Sequence, residues 1–313
     1  MTTFKERAIT RVRENRFVLK SINRSRLLVL PGFDGIPLYD VTVFFWSALK
    51  KGSISARASA FSFNFFLSMF PAIIFFFTII PYIPIPHFQD TLLDLMRDII
   101  PEGVFKSVES TLFDIIKRPR GGLLSLGFVL ALYFSTNGIN SLIVAFNQSI
   151  HQIETRPPYV QRAISVLLVI IISFIVIIAI SLITLGPPVL RLLVSYGVLH
   201  NNFTIYIISS LRWLVILGMF LFAFSFLYYL APAGKNKFRF ISAGSMLSTI
   251  LTIAASIGFN YYVNNFSKYN TLYGSIGTLM IVMIWINFNA LVVLIGFELN
   301  ASIKGAKLSR LHS

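Results

Sequence analysis

The sequence predicts an all-α fold: a polytopic membrane helical bundle with six transmembrane helices plus amphipathic interfacial helices. The first observation is composition, since 56% of the 313 residues are hydrophobic and only 12% are charged. A soluble domain carries about 25% charged residues. The second is that six apolar stretches each exceed the roughly 20 residues needed to cross a hydrocarbon core. The third is that basic residues mark alternate connections, as positive-inside topology requires.

Residues 1–37 form a basic N-terminal arm, which Pro31, Gly32, Gly35 and Pro37 separate from the rest of the chain. Its Lys and Arg residues favour an anionic membrane face over nucleic acid, because basic flanks also fix topology. We therefore expect membrane lipids as partners, anionic headgroups at this arm, and no nucleic acid. Residues 38–50 (LYDVTVFFWSALK) are typical of an amphipathic helix lying on the cytoplasmic surface.

A six-span membrane domain is predicted over residues 38–303, with a basic cytoplasmic tail at 304–313. The spans are expected at about 56–80, 123–148, 162–186, 205–230, 240–264 and 275–302. Four prolines are expected to break helices close to a site: Pro71, Pro81, Pro187 and Pro188.

The connections give the orientation. The segment 82–121 is acidic, and its apolar residues recur at helical spacing, which indicates two short amphipathic helices broken at Pro101-Glu102-Gly103. Basic residues mark the N terminus, the loops at 149–161 and 231–239, and the C terminus, whereas the loops at 187–204 and 265–274 hold one basic residue each. The charge pattern therefore predicts cytoplasmic termini and an external acidic segment.

Polar residues inside the spans are costly in lipid, so they need partners or a purpose. Two interpretations compete: they bridge helices, with small residues such as Gly127, Gly138 and Gly296 permitting close approach, or they line a polar cavity. The number of asparagines favours a cavity for the collection as a whole. The candidates for a substrate pathway are Arg57, Asn64, Ser68, Asn137, Asn140, Asn147, Asn260, Asn264, Tyr269, Asn270, Tyr273, Asn287 and Glu298.

Glu298 is the only acidic residue in any predicted span. Arg57 begins the first span and Glu298 ends the last, so both lie at the same side of the membrane. We predict an ion pair that clamps these two spans; a proton or cation site at Glu298 is the alternative. Arg212 is expected to snorkel to the outer interface.

Enzyme signatures are missing from the sequence. It contains no phosphate-binding GxxxxGK[ST], no HExxH and no GxSxG. The four histidines lie in separate regions, and cysteine is absent. We therefore expect no enzyme activity, no catalytic residues, no metal site and no cofactor.

Several stretches together carry a family resemblance over roughly residues 40–305. They are RASAFSFNFFLSMFPAIIF (57–75), GGLLSLGFVLALYFSTNGINSLIVAFN (121–147), YYLAPAGKNKFRFISAGS (228–245), GFNYYVNNFSKYNTLYGSIGTLMIVMIW (258–285) and GFELNA (296–301). The chain resembles the YihY / virulence factor BrkB family of bacterial inner-membrane proteins, formerly labelled ribonuclease BN. The residues here give that label no support. The resemblance implies a cytoplasmic (inner) membrane location and a link to lipid or lipopolysaccharide-precursor transport, and it brings no catalytic or binding residues.

The leading expectation for function is transport or distribution of a lipid-like amphipathic substrate. The alternative is a non-transporting membrane scaffold whose asparagines join helices; an enzyme comes third. A homo-oligomer or an envelope protein partner stays open. A groove lined by Asn64, Asn137, Asn140, Asn264 and Asn287 would support transport, and a dry, fully packed bundle would support scaffolding.

Overall fold

The computed structural model describes residues 24–51, 53–84, 88–99, 109–110, 113–114, 116–149, 156–196, 202–234, 238–265 and 268–311. Its helices are α1 Leu38–Lys51, α2 Ile54–Ile79, α3 Phe88–Ile99, α4 Gly121–Asn147, α5 Pro158–Ser195, α6 Asn202–Leu230, α7 Ala243–Asn265 and α8 Lys268–Leu311, with a 3-10 turn at Ile80–Tyr82. These described ranges contain no strand. The all-α prediction is confirmed.

Six of these helices, α2, α4, α5, α6, α7 and α8, are long and apolar enough to cross a membrane. The most apolar is α5, whose mean hydropathy reaches 3.5 in a window of which only 6% of residues are buried. A helix that is apolar on all sides and barely buried by its own protein needs lipid as its surroundings. The predicted six-span architecture is confirmed.

Three of the four prolines do not break a helix. Pro71 lies inside α2, and Pro187 and Pro188 lie inside α5, which continues to Ser195 beyond the predicted end at 186. The prediction of breaks at these three prolines was wrong, whereas Pro81 lies in the 3-10 turn that follows the end of α2. In lipid a true break leaves several backbone groups without partners, whereas a continuing helix leaves fewer, so membrane helices tolerate proline.

The last helix is much longer than predicted. It begins at Lys268, seven residues before the predicted span start at 275, and it continues to Leu311 through the predicted tail. Packing explains the second extension: Ile303 and Ala306 lie in a small core with Val41 of α1. Arg310 forms a salt bridge to Asp40 at 2.6 Å. The amphipathic helix predicted at 38–50 is confirmed as α1, and it lies against the end of α8.

The segment 82–121, predicted to be external, is described in part. Its first amphipathic helix is confirmed as α3, where Gln89 donates hydrogen bonds to the carbonyls of Ile80 and Ile83. Lys117 pairs with Asp90 at 2.5 Å. The predicted break at Pro101-Glu102-Gly103 lies outside the described residues, as does the arm at 1–23.

The spanning helices form a ring in chain order. Contacts run from α2 to α4, then to α5, α6, α7 and α8, and close from α8 back to α2. Of the spanning helices that are not neighbours in the ring, α4 and α8 have the largest contact among the described residues, and it is small. The most extensive contact joins α2 and α4. Gly127 allows a close approach there, since a Cβ at this position would lie 3.3 Å from the backbone of Phe75. Sequence order therefore sets spatial order.

The ring is packed unevenly. We call its basic end the end at which α2, α5 and α7 begin and α4 and α6 terminate. The main buried cluster concentrates there, in Ile54, Ala58, Leu142, Ile143, Ala145, Phe146, Leu227, Tyr228, Ala231, Leu294, Phe297 and Ala301. Away from it, large apolar side chains are exposed at consecutive positions, as at 176–178 of α5, so more than one face of the helix is uncovered. Buried side chains of the ring are therefore concentrated at the basic end, and exposed apolar side chains predominate toward the opposite end.

Candidate functional site

A buried ion pair joins the first and last spanning helices at the basic end. Arg57 Nη2 lies 2.5 Å from Glu298 Oε1, and the side chains are 5% and 0% exposed. Arg57 is in the first turn of α2, and Glu298 follows the core residues of α8. The predicted clamp between these two spans is confirmed.

Other polar groups complete this cluster. Arg57 Nη1 donates to the carbonyl of Ala145 at 2.6 Å, and Ser149 Oγ donates to Glu298 Oε2 at 2.7 Å. Both carboxylate oxygens are therefore used, and the end of α4 is tied to α2 and α8. The Arg57 Nε is buried without a hydrogen-bond partner. A buried pair needs such additional hydrogen bonds, because desolvating two charges costs several kcal/mol per ion.

An aromatic layer packs beside the ion pair. Phe146 stacks on Phe297 with ring centroids 4.2 Å apart, and the Tyr228 ring lies 5.9 Å from Phe146. The Tyr228 hydroxyl lies 2.5 Å from Ser248 Oγ and donates to the carbonyl of Val293 at 2.8 Å. These contacts join α4, α6, α7 and α8, so the ion pair and the aromatic layer together connect five of the spanning helices at the basic end.

Two asparagines of α4 bond to α5. Asn137 Oδ1 accepts from Arg162 Nη1 at 2.5 Å, and Asn140 Oδ1 accepts from Gln161 Nε2 at 2.6 Å. The Arg162 guanidinium also lies 5.1 Å from the centre of the Tyr133 ring. Arg162 and Gln161 were not among the candidates. The available signal was a cation in the first turns of the most apolar span, where it needs a partner.

Asn287 links α8 to α2. Its Nδ2 lies 3.3 Å from Ser59 Oγ and 3.4 Å from Ser62 Oγ. The neighbouring Asn289 instead donates to the carbonyl of Trp285 within its own helix at 2.8 Å. The two amides are close in sequence, yet only Asn287 joins two spans.

The connection after α6 is held by side chains from the end of α4 and from the connection before α5. Asn147 Oδ1 accepts from the backbone N–H of Ala233 at 3.0 Å. Arg156 donates to the carbonyls of Leu230 at 2.8 Å and Pro232 at 2.5 Å. These carbonyls end a helix and lack intrahelical donors, so Arg156 caps α6 as well as contributing charge.

Two further candidates bond within their own helix. Asn64 donates to the carbonyl of Ala60, and Ser68 donates to that of Phe65, both within α2. Asn260 is exposed on α7. The side chains of Asn264, Tyr269, Asn270 and Tyr273 lie outside the part of the chain whose side chains the structure describes. A continuous pathway through the candidates stays a prediction.

Comparison with known proteins places the chain among bacterial membrane proteins. The family model described as Virulence factor BrkB matches residues 45–312. A Bacillus subtilis (strain 168) protein, YfkH, whose name describes it as ribonuclease-like, is 31% identical over 79% of this chain and 88% of its own length. A UPF0761 membrane protein of Haemophilus influenzae (strain 86-028NP) is 22% identical over 86% of this chain and 96% of its own.

No solved structure matches the chain. The family match extends from α1 to the end of α8 and includes the ion pair, the aromatic layer and both asparagine links. The chain therefore belongs to the Virulence factor BrkB family.

Proposed function

We propose that this protein moves or distributes a lipid-like, amphipathic substrate within the bacterial cytoplasmic membrane. The observation that carries the proposal is the uneven ring, with its main buried cluster at the basic end and exposed apolar side chains toward the other. A lipid tail needs apolar walls, and exposed apolar side chains at consecutive positions of α5 supply such walls. A headgroup needs polar groups, and Asn137, Asn140 and Asn287 supply these within the spans.

In the proposed function the basic end acts as a seal. The pair of Arg57 and Glu298, with the stacked rings of Phe146 and Phe297, keeps water and ions from passing through the ring. A substrate route that reaches the basic-end leaflet then requires α2 to separate from α8, at the contact that the ion pair holds.

The orientation belongs to the same proposal: the basic end faces the cytoplasm, and so do both termini. Arg239, Lys304 and Lys307 lie at this end, as the positive-inside rule requires of a cytoplasmic face. Fluorescent protein fused after Ser313 should fluoresce in bacterial cells, and alkaline phosphatase fused there should be inactive. The reverse outcome would overturn the orientation.

The function is tested in liposomes that contain a fluorescent phospholipid and the purified full chain. Dithionite quenches the outer leaflet, and further loss of fluorescence measures lipid movement between leaflets. We expect wild-type protein to accelerate the loss and Asn287→Leu to slow it. Asn289→Leu is the matched control, because that amide bonds only within α8. A wild-type rate equal to that of empty liposomes would defeat the proposal.

The scaffold is retained as a second candidate because several asparagines act as links between helices. For a scaffold, Asn287→Leu would lower stability, and the wild-type chain would leave the lipid rate unchanged. The ribonuclease-like name stays with the Bacillus relative. Among the described residues, no three His, Asp or Glu side chains are grouped so that they could hold a metal ion.

A further inference from the structure

A cation without a counterion lies between α5 and α6. Arg212 of α6 has two guanidinium nitrogens, Nε and Nη1, that are buried and have no hydrogen-bond partner in the part of the chain that the structure describes. The guanidinium keeps its charge in proteins. Because a buried charge without a partner is unfavourable, Arg212 needs a counterion.

The neighbouring helices offer no carboxylate to Arg212. The sequence has no Asp or Glu between Glu154 and Glu298, a stretch that contains the whole of α5, α6 and α7. The substantial helix contacts of α6 are with α5 and α7. Glu298 itself is bound to Arg57 and Ser149 at the basic end. The counterion of Arg212 therefore has to come from outside these helices.

The depth of Arg212 places it beside phospholipid headgroups. α6 terminates at Leu230, at the basic end, and the helix from Arg212 to Leu230 is about 27 Å long at about 1.5 Å per residue. A hydrocarbon core is roughly 30 Å thick. Trp213 is 58% exposed and Tyr206 is 71% exposed, as is typical of aromatic residues at a membrane interface. Arg212 therefore lies at the level of the phosphates in the leaflet opposite the basic end.

The position of the guanidinium depends on Gly186 of α5. A Cβ at Gly186 would lie 2.8 Å from both Cδ and Nη1 of Arg212, so a larger residue would displace the side chain. The guanidinium also lies 5.6 Å from the centre of the Trp213 ring, within the range of cation–π attraction. Arg212 is nevertheless partly exposed, so a ligand in the membrane can reach it.

From this geometry we propose that Arg212 binds the phosphate of an anionic phospholipid in the leaflet opposite the basic end. Arginine donates charge-assisted hydrogen bonds to phosphate oxygens, and one phosphodiester charge balances one guanidinium charge. A headgroup without an amine is favoured, since an amine would place a second cation near Arg212. The exposed side chains of Leu211 and Leu214 supply apolar surface for the acyl chains. This site goes beyond the proposed function, because it binds lipid whether or not the protein moves lipid.

The test uses Trp213 as a local reporter of the lipid beside Arg212. The full chain with Trp46→Phe and Trp285→Phe retains Trp213 as its only tryptophan. It is reconstituted in mixtures of phosphatidylglycerol and phosphatidylcholine in which one lipid carries brominated acyl chains, and quenching gives their relative binding constant. We expect phosphatidylglycerol to be favoured by up to about fivefold, the contribution of one partly exposed ion pair. Equal binding of the two lipids would overturn the proposal.

Two variants in this background locate the site. Arg212→Gln should abolish the preference, and Gly186→Ala should weaken it although every charge is kept, because the Cβ displaces the guanidinium. The matched control is Gly218→Ala, also on α6, where a Cβ meets open space; the preference should be unchanged. A preference that survives Arg212→Gln would reflect the general charge of the protein and would overturn the site.

Inorganic phosphate separates a lipid ligand from a soluble one. Added to the buffer, it should leave the preference for phosphatidylglycerol unchanged, because the lipid is held at the interface by its acyl chains. Loss of the preference would identify a soluble anion as the ligand and overturn the lipid site. A melting temperature for each variant confirms folding.

Discussion

The ion pair of Arg57 and Glu298 gives the sharpest test of how the ring is held together. Both side chains are almost fully buried, and Glu298 accepts from Arg57 at 2.5 Å and from Ser149 at 2.7 Å. Glu298→Gln keeps the shape and both hydrogen-bonding positions, since an amide can accept from Arg57 and donate to Ser149. It removes only the negative charge, so the buried Arg57 becomes uncompensated.

Removing one partner of a buried pair costs about 3 to 5 kcal/mol. Glu298→Gln should therefore lower the free energy of unfolding by about that amount. Arg57→Met should cost as much, plus about 1 to 3 kcal/mol because the carbonyl of Ala145 loses its donor. The double variant leaves no charge uncompensated and should cost only about 1 to 3 kcal/mol. The sum of the two single-variant losses in unfolding free energy should therefore exceed the loss of the double variant by at least about 3 kcal/mol.

The assay is reversible unfolding in mixed micelles of SDS and dodecyl maltoside, followed by tryptophan fluorescence. The matched control is Asp40→Asn, which breaks a partly exposed pair with Arg310 between α1 and α8. It should cost less than about 1 kcal/mol. The reasoning is refuted if the Glu298 and Arg57 variants also cost less than about 1 kcal/mol, or if their effects simply add.

Three further predictions follow from packing at the basic end. Gly296→Ala should destabilise the chain by about 1 to 3 kcal/mol, because its Cβ would lie 2.7 Å from the carbonyl oxygen of Gly244 and overlap Ser248; Gly258→Ala, with open space around it, should be neutral or stabilising in the same unfolding assay. Arg156→Met should speed amide hydrogen exchange at the end of α6 by about tenfold, since the carbonyls that Arg156 holds lose their donor; unchanged exchange there would count against the cap. Phe146→Ala should cost about 3 to 5 kcal/mol, whereas Phe174→Ala, 63% exposed on α5, should cost far less, and equal losses would contradict an aromatic layer confined to the basic end.

Much of this architecture could be predicted from the sequence, because the bilayer restricts what a span can be. Six apolar stretches identified the six spans, and the rule that charges need partners in lipid identified the pair of Arg57 and Glu298. The same rule located Asn137, Asn140 and Asn287. It could not supply their partners, since these depend on which helices are neighbours in the ring.

The errors have a physical cause as well. In a soluble protein, prolines such as Pro71 and those of α5 usually end or kink a helix. In lipid a broken helix costs more than a distorted one, because its backbone groups lose their partners. The end of α8 was predicted as a tail because it is basic, yet Ile303 and Ala306 pack against α1. Single-helix reasoning does not reveal such packing. The cavity of about 250 Å³ beside Asp34 was not predicted for the same reason, because its lining comes from four separate segments: the loop before α1, α6, the residues before α7, and α8.

Lipid movement per copy of protein tests the proposed function most directly. Liposomes are prepared with increasing numbers of wild-type molecules, from less than one to several per vesicle, and the fraction of fluorescent lipid that dithionite can reach is measured. Movement by the protein predicts that this fraction rises from half toward completeness as vesicles acquire their first copy or assembly. A fraction that stays at the value of empty liposomes at every protein density would contradict the proposed function.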